Sequence, residues 1–189
     1  MGKYPVTNRQ YQVFAKDTGL GWKMPPSKEE HPVVEVTWQN ATVFCEWASQ
    51  KTGFNIHLPT EAEWEKAARG TDGRIYPWGN SSPNKDQANF NQNVGGTTPV
   101  GKYSPQGDSP YGCADMAGNV WEWCADWHDE NYYKTAPLKN PPGPAQTKFR
   151  ALRGGSWYYS INVVRTSFRG GLNPTFTDYG HGFRCSSSH

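Results

Sequence analysis

The chain has 189 residues and a formal net charge of +2, so nothing in its balance of 19 basic and 17 acidic side chains calls for nucleic acid or an anionic membrane. Aromatic residues make up 14% of it, which excludes a disordered chain, while 20 Gly and 15 Pro point to a loop-rich domain with many turns. The length fits one domain over 1–189, and no apolar run approaches the roughly 18 residues of a membrane span.

No charged segment followed by an apolar stretch opens the chain, so no secretory leader is expected. It begins almost directly on a helix start, which leaves room for a strand upstream. The compartment is left open among cytoplasm, phage particle and cell surface. Thr7 is an N-cap, and Tyr11 and Phe14 share one face up to Gly19. Thr37 caps a second helix with an apolar stripe of Val43, Phe44, Trp47 and Ala48, ended by Gly53. Thr60 and Glu63 form a capping box for a third, with Trp64, Ala67 and Ala68 inward and Gly70 as its stop. Beyond Gly70 the pattern changes to short strand-like pieces, 98–103, 120–123 and 150–157, among Gly, Asn, Pro and Asp. Residues 139–146 carry three prolines and read as a surface loop. Helices first and short strands later predict an α+β layout rather than a parallel sheet.

Six motifs follow one another in the order of a known family. They are Tyr4-Pro5-Val6-Thr7-Asn8, Leu58-Pro59-Thr60-Glu61-Ala62-Glu63-Trp64-Glu65, Tyr76-Pro77-Trp78-Gly79-Asn80, Gly118-Asn119-Val120-Trp121-Glu122-Trp123, Arg153-Gly154-Gly155-Ser156-Trp157 and Gly182-Phe183-Arg184-Cys185. The series resembles the formylglycine-generating-enzyme (sulfatase-modifying factor) family, which implies a C-type lectin-like fold. It is specific for fold and much less so for activity. The family's oxidase places two cysteines just beyond the Gly-Gly-Ser turn, where their thiolates hold copper(I). Aligned on Gly154-Gly155-Ser156, those positions fall on Tyr159 and Val164, neither of which ligates copper, so no copper and no oxidase activity are expected. His31, His57, His128, His181 and His189 form no HxxxH pair and read as packed or surface residues.

The resemblance carries further expectations. It implies a structural calcium site with side-chain ligands Asp115 and Glu122 and backbone carbonyls of Gly118 and Val120, hard oxygens suited to that ion. The competing reading has Asp115 and Glu122 capping local amides. A second family site would use Asn89 and Phe90, but its acidic partner falls on Gln92. The four cysteines fit no metal clip, and by themselves allow either buried thiols or one disulfide. The family pairing would join Cys45 to Cys185.

The tail is the most informative stretch. Lys, Glu, Gln, Met and Trp occur 11, 9, 8, 3 and 9 times in residues 1–157 and not once in residues 158–189. Diversity-generating retroelements mutate adenines in a template repeat. An AAY asparagine codon altered only at its adenines reaches fifteen residue types and never those five. The family tail is rich in Asn and Asp; here those places hold Tyr158, Tyr159, Ile161, Val163, Phe168, Leu172, Phe176, Tyr179 and His181, in a candidate variable region at about 158–181. The chain is therefore similar to the retroelement variable proteins built on this fold. That implies a non-catalytic protein which binds an unknown protein or surface ligand, with no nucleic acid partner. A regulatory module without variation and a metal-dependent oxidase are the alternatives. The nine side chains are expected to share a partly exposed patch, with Trp121, Trp123, Trp157 and Phe183 buried behind it.

Overall fold

The computed structural model describes residues 1–188; His189 lies outside the described residues. Three helices come first: α1 (Asn8–Thr18), α2 (Trp38–Thr52) and α3 (Glu61–Arg69). Each starts at a threonine whose hydroxyl accepts the N3 amide while the N3 side chain returns to the N-cap amide: Thr7 with Gln10, Thr37 with Asn40, Thr60 with Glu63. Gly19, Gly53 and Gly70 follow at positive φ, where a Cβ is disfavoured. The α2 stripe differs from expectation by one residue. Ala41, Phe44, Cys45 and Ala48 are buried, but Val43 is 38% exposed. The i, i+3, i+4, i+7 spacing runs through Ala41 and Cys45 and leaves Val43 beside the stripe.

Among the described residues, six short strands accompany them: β1 (Asn55–His57), β2 (Trp121–Trp127), β3 (Arg150–Arg153), β4 (Gly170–Leu172), β5 (His181–Gly182) and β6 (Ser186–Ser188). β1 pairs with β6, and the other four lie in the order β4-β3-β2-β5. β3 is antiparallel to both neighbours, whereas β5 runs parallel to β2. The segment 98–103 is not a strand. Pro99, and Gly101 at φ 72°, break it, and its amides find loop partners instead: Thr98 on Asn119 Oδ1, Val100 on the Glu30 carbonyl, Gly101 on Asp115.

β2 is buried on both faces, and its period-2 alternation sorts the core into two kinds. Trp121 and Trp123 face an aromatic cluster with Tyr11, Phe14, Phe44 and Phe183. On the other face Cys124 packs with Trp64, Ala67 and Met116, while Glu122 and Asp126 meet polar partners. Asp126 Oδ2 accepts the Glu61 amide at 2.6 Å, so a strand carboxylate serves one of the orphan donors at the start of α3.

Candidate binding face

The tail leaves β3 through two glycines in the left-handed region, Gly154 at φ 94° and Gly155 at φ 75°. A Cβ on Gly155 would lie 2.9 Å from Val164 Cγ1, so only glycine allows the turn to close on the segment after it. From there to β5 the chain has little regular structure, and its backbone is tied down at intervals by the scaffold. The Asn91 and Gln92 amides donate to the carbonyls of Tyr159 and Trp157. The Thr166 amide donates to Ile75, and Arg153 reaches the carbonyls of Thr166 and Phe168. The amides of Trp38, Glu35 and Trp121 donate to the carbonyls of Pro174, Asp178 and Gly180. Arg169 makes a forked pair with Glu61, at 2.6 and 2.7 Å. None of these ties uses a side chain of the nine candidate residues.

Those nine sit at graded depths. Tyr159, Phe176 and Tyr179 are 39, 45 and 58% exposed, and Tyr158, Ile161, Val163, Phe168 and Leu172 are half-buried. His181 is buried, against Trp123 and Phe176. Ring contacts join Tyr158 to Tyr159 and to Tyr179, and Trp121 lies beneath Tyr159 and Phe168. Ile161 and Val163 lean on a small cluster of Ala88, Phe90, Ala117 and Val164. Trp121, Trp123 and Phe183 are buried, but Trp157 is not: it is half-exposed, meets Tyr158 edge-to-face and Tyr179 at a tilt, and donates from its indole to the Tyr179 carbonyl. The Gly-Gly turn swings it out of the core and into the face.

Asp178, the one carboxylate in 158–189, was not singled out by the sequence reading. It accepts the Tyr158 hydroxyl at 2.7 Å, the Gly180 amide at 2.7 Å and His181 Nδ1 at 2.5 Å, and so clips the two ends of the tail together. Burial opposes its ionisation, but these donors hold its carboxyl below the ordinary value. Its isolation as the tail's sole acid was the available signal.

The calcium expectation meets a mixed environment. Glu122 is fully buried in an ion pair: both its oxygens take Arg184, at 2.7 Å each, and Oε2 also accepts the Trp64 indole at 2.6 Å. A divalent cation on Glu122 would face that guanidinium, so this ligand does not fit as the structure stands. Asp115 fits better. One oxygen accepts the Gly101 amide, and burial pushes its pKa up to about 6, the sign of a carboxylate short of positive charge. The Gly118 carbonyl accepts the Val120 amide at 2.9 Å. At the second family position Asn89 is buried with Oδ1 unpaired, and Gln92 is exposed. Among the described residues no three His, Cys, Asp or Glu side chains gather as a metal cluster. The Sγ atoms of Cys45 and Cys185 lie 3.7 Å apart as free thiols, while Cys113 and Cys124 are buried beside α3. Tyr159 is at the surface and Val164 fully buried.

The model of the sulfatase-modifying factor enzyme 1-like domain matches residues 1–188. The chain is 41% identical over 166 residues to the serine/threonine-protein kinase pkn1 of Chlamydia pneumoniae, covering 86% of this chain and 25% of that protein. It is 38% identical over 193 residues to the formylglycine-generating enzyme of Streptomyces coelicolor, covering 89% of this chain and 59% of the enzyme. It therefore spans between a quarter and three fifths of the length of these relatives. Among solved structures, Treponema denticola variable protein 1 superposes with a TM-score of 0.84 at 26% identity, over 97% of this chain and 82% of that one. PvdO from Pseudomonas aeruginosa superposes with a TM-score of 0.86 at 23% identity, over 99% and 79% of the two chains. The α+β architecture is thus the C-type lectin-like fold of the formylglycine-generating-enzyme type, and the chain belongs to the sulfatase-modifying factor enzyme 1-like family.

Proposed function

We propose that this chain is the variable protein of a diversity-generating retroelement, a non-catalytic binder that presents the side chains of 158–181 to a protein ligand. One observation carries this reading. The segment without Lys, Glu, Gln, Met or Trp is the segment whose backbone is fastened mainly by residues outside the nine, the contacts of Tyr158 and His181 with Asp178 excepted, so most side chains there can change while the chain path is kept. The likeness to Treponema denticola variable protein 1 supports it. A face of Tyr, Phe, Leu and Ile favours a protein as ligand, because aromatic side chains give large contact area at low entropic cost. The test is genomic: a reverse transcriptase gene beside this one, with a second copy of the tail's coding sequence bearing adenines where the copies differ. Neither being present within the neighbouring genes would overturn the reading.

A metal-dependent oxidase is the second reading, favoured by the formylglycine-generating enzymes among the relatives. Tyr159 and Val164, at the positions of that enzyme's cysteines, count against it. Stoichiometric copper(I) binding with oxidation of a thiol peptide would reverse the order of the two readings.

A further inference from the structure

Arg150 opens β3, opposite Leu172 of β4, outside the region 158–181. Its guanidinium carbon lies 3.6 Å from the ring centroid of Trp38 and 3.6 Å from that of Trp127. Two indoles cannot share one face of a guanidinium at that distance, so the group is held between them. Nη1 donates to the Ala125 carbonyl at 2.7 Å, and Nε is buried with no partner. No ion pair joins Arg150 among the described residues, and Asp126 acts on it only at longer range. Burial holds its pKa below the ordinary arginine value. A cation stacked on both faces and lacking a counter-ion is an incomplete arrangement, because a desolvated charge is stabilised by a paired opposite charge.

Arg150 and the two indoles line a cavity of about 300 Å³, whose other walls are Thr37, Gln39, Pro174 and Thr175. The last two belong to the tail, between the half-buried Leu172 and the exposed Phe176. The slot is bounded above and below by the indole planes. A planar carboxylate lying coplanar with the guanidinium continues that slot and accepts from Nη2, which has no hydrogen-bond partner among the described residues; a tetrahedral anion is thicker than the gap.

We propose that the free edge of Arg150 is a carboxylate-binding subsite at the border of the variable face, which takes an acidic side chain of the bound protein; this rests on that face being a protein-binding one. Trp38, Trp127 and Arg150 lie outside the diversified segment, so the charge and its two flanking rings stay constant while the tail wall at Pro174 and Thr175 borders the part that changes. It supplies every variant with the same charged anchor and leaves selection among partners to the tail.

The test needs no natural ligand. Sodium acetate is titrated into the whole protein at constant ionic strength, with sodium chloride and sodium phosphate as separate arms, and the indole N–H resonances of Trp38 and Trp127 are followed by NMR. A saturable shift with acetate alone is expected, weakened about tenfold or more in R150Q, as loss of a charge-assisted contact requires. Should R150Q fail to fold, T175W, at the exposed mouth of the cavity, replaces it and is expected to abolish the shift. A linear, non-saturating response to acetate would overturn the proposal, as would an unchanged midpoint in folded R150Q. An equal or tighter response to phosphate would overturn the carboxylate assignment. The titration does not involve the retroelement: its failure leaves the variable-protein reading standing, and absence of a retroelement leaves the acetate result standing.

Discussion

At the scale of single residues, the buried ion pair of Glu122 and Arg184 dominates. Both side chains are fully buried, and Arg184 also donates to the carbonyls of Gly2, Lys3 and Ala114, so one guanidinium holds the first residues, the 114 loop and β2 together. Glu122→Ala is expected to cost about 3–5 kcal/mol in urea unfolding, because it leaves Arg184 buried without its counter-charge. A loss below about 1 kcal/mol would mean that water reaches the pair. Asp115 gives a prediction with a definite sign. Its folded pKa, about 6, lies above the ordinary carboxylate value, so between about pH 4 and 6 the folded state holds a proton that the unfolded state has released. Stability should therefore fall as pH rises through that window, by roughly 2–3 kcal/mol at most, and Asp115→Asn should flatten the slope. Calcium at Asp115 would supply the missing positive charge. We propose it as the ligand of this loop: added calcium should raise the melting temperature at pH 7 and EDTA should reverse the gain. An identical melting curve in calcium and in EDTA would rule the ion out here.

At the scale of elements, the tail separates into side chains that support the fold and side chains that decorate it. Replacing Tyr159, Phe176 and Tyr179 together by Ser should shift the melting temperature by only a few degrees, since all three are more than a third exposed and none fastens the backbone. Val164→Ser should cost far more, because Val164 is fully buried in a small cluster with Phe90 and Ala117. Differential scanning calorimetry on the two variants checks both claims. Equal large losses would turn the exposed aromatics into core and remove the binding-face reading. The half-buried group, Tyr158, Ile161, Val163, Phe168 and Leu172, should fall between these limits. This gradation was not legible in the sequence, where all nine look alike. The helices were legible almost to the residue, because a threonine cap, an N3 partner and a stop glycine are local chemistry. The strands were legible only in part: 120–123 and 150–157 fall on β2 and β3, but with other ends. Residues 98–103 show a strand-like composition, yet their amides are taken by Asn119, Glu30 and Asp115 from three separate places in the chain.

At the scale of the whole molecule, Cys45 on α2 and Cys185 beyond β5 stand 140 residues apart in sequence with their sulfurs 3.7 Å apart. Mild oxidation should join them with the loss of two hydrogens, read by mass spectrometry of the peptides that contain them. The cross-link should stabilise the protein by about 5 kcal/mol on the chain-entropy account of so long a loop. Cys113–Cys124 peptides in place of this pair would refute the pairing. By itself the sequence determined the helices, the α+β order, the family through its six motifs, and the residue-type gap that marks the tail, because each is written in neighbouring residues or in composition. Only the tertiary structure decided that Glu122 is a counter-ion to Arg184 before it is anything else, that Trp157 joins the face and His181 leaves it, and that Arg150 is held between two tryptophans with one edge free. Those outcomes depend on which distant groups compete for the same buried charge or the same ring face, and such competition has no signature along the chain.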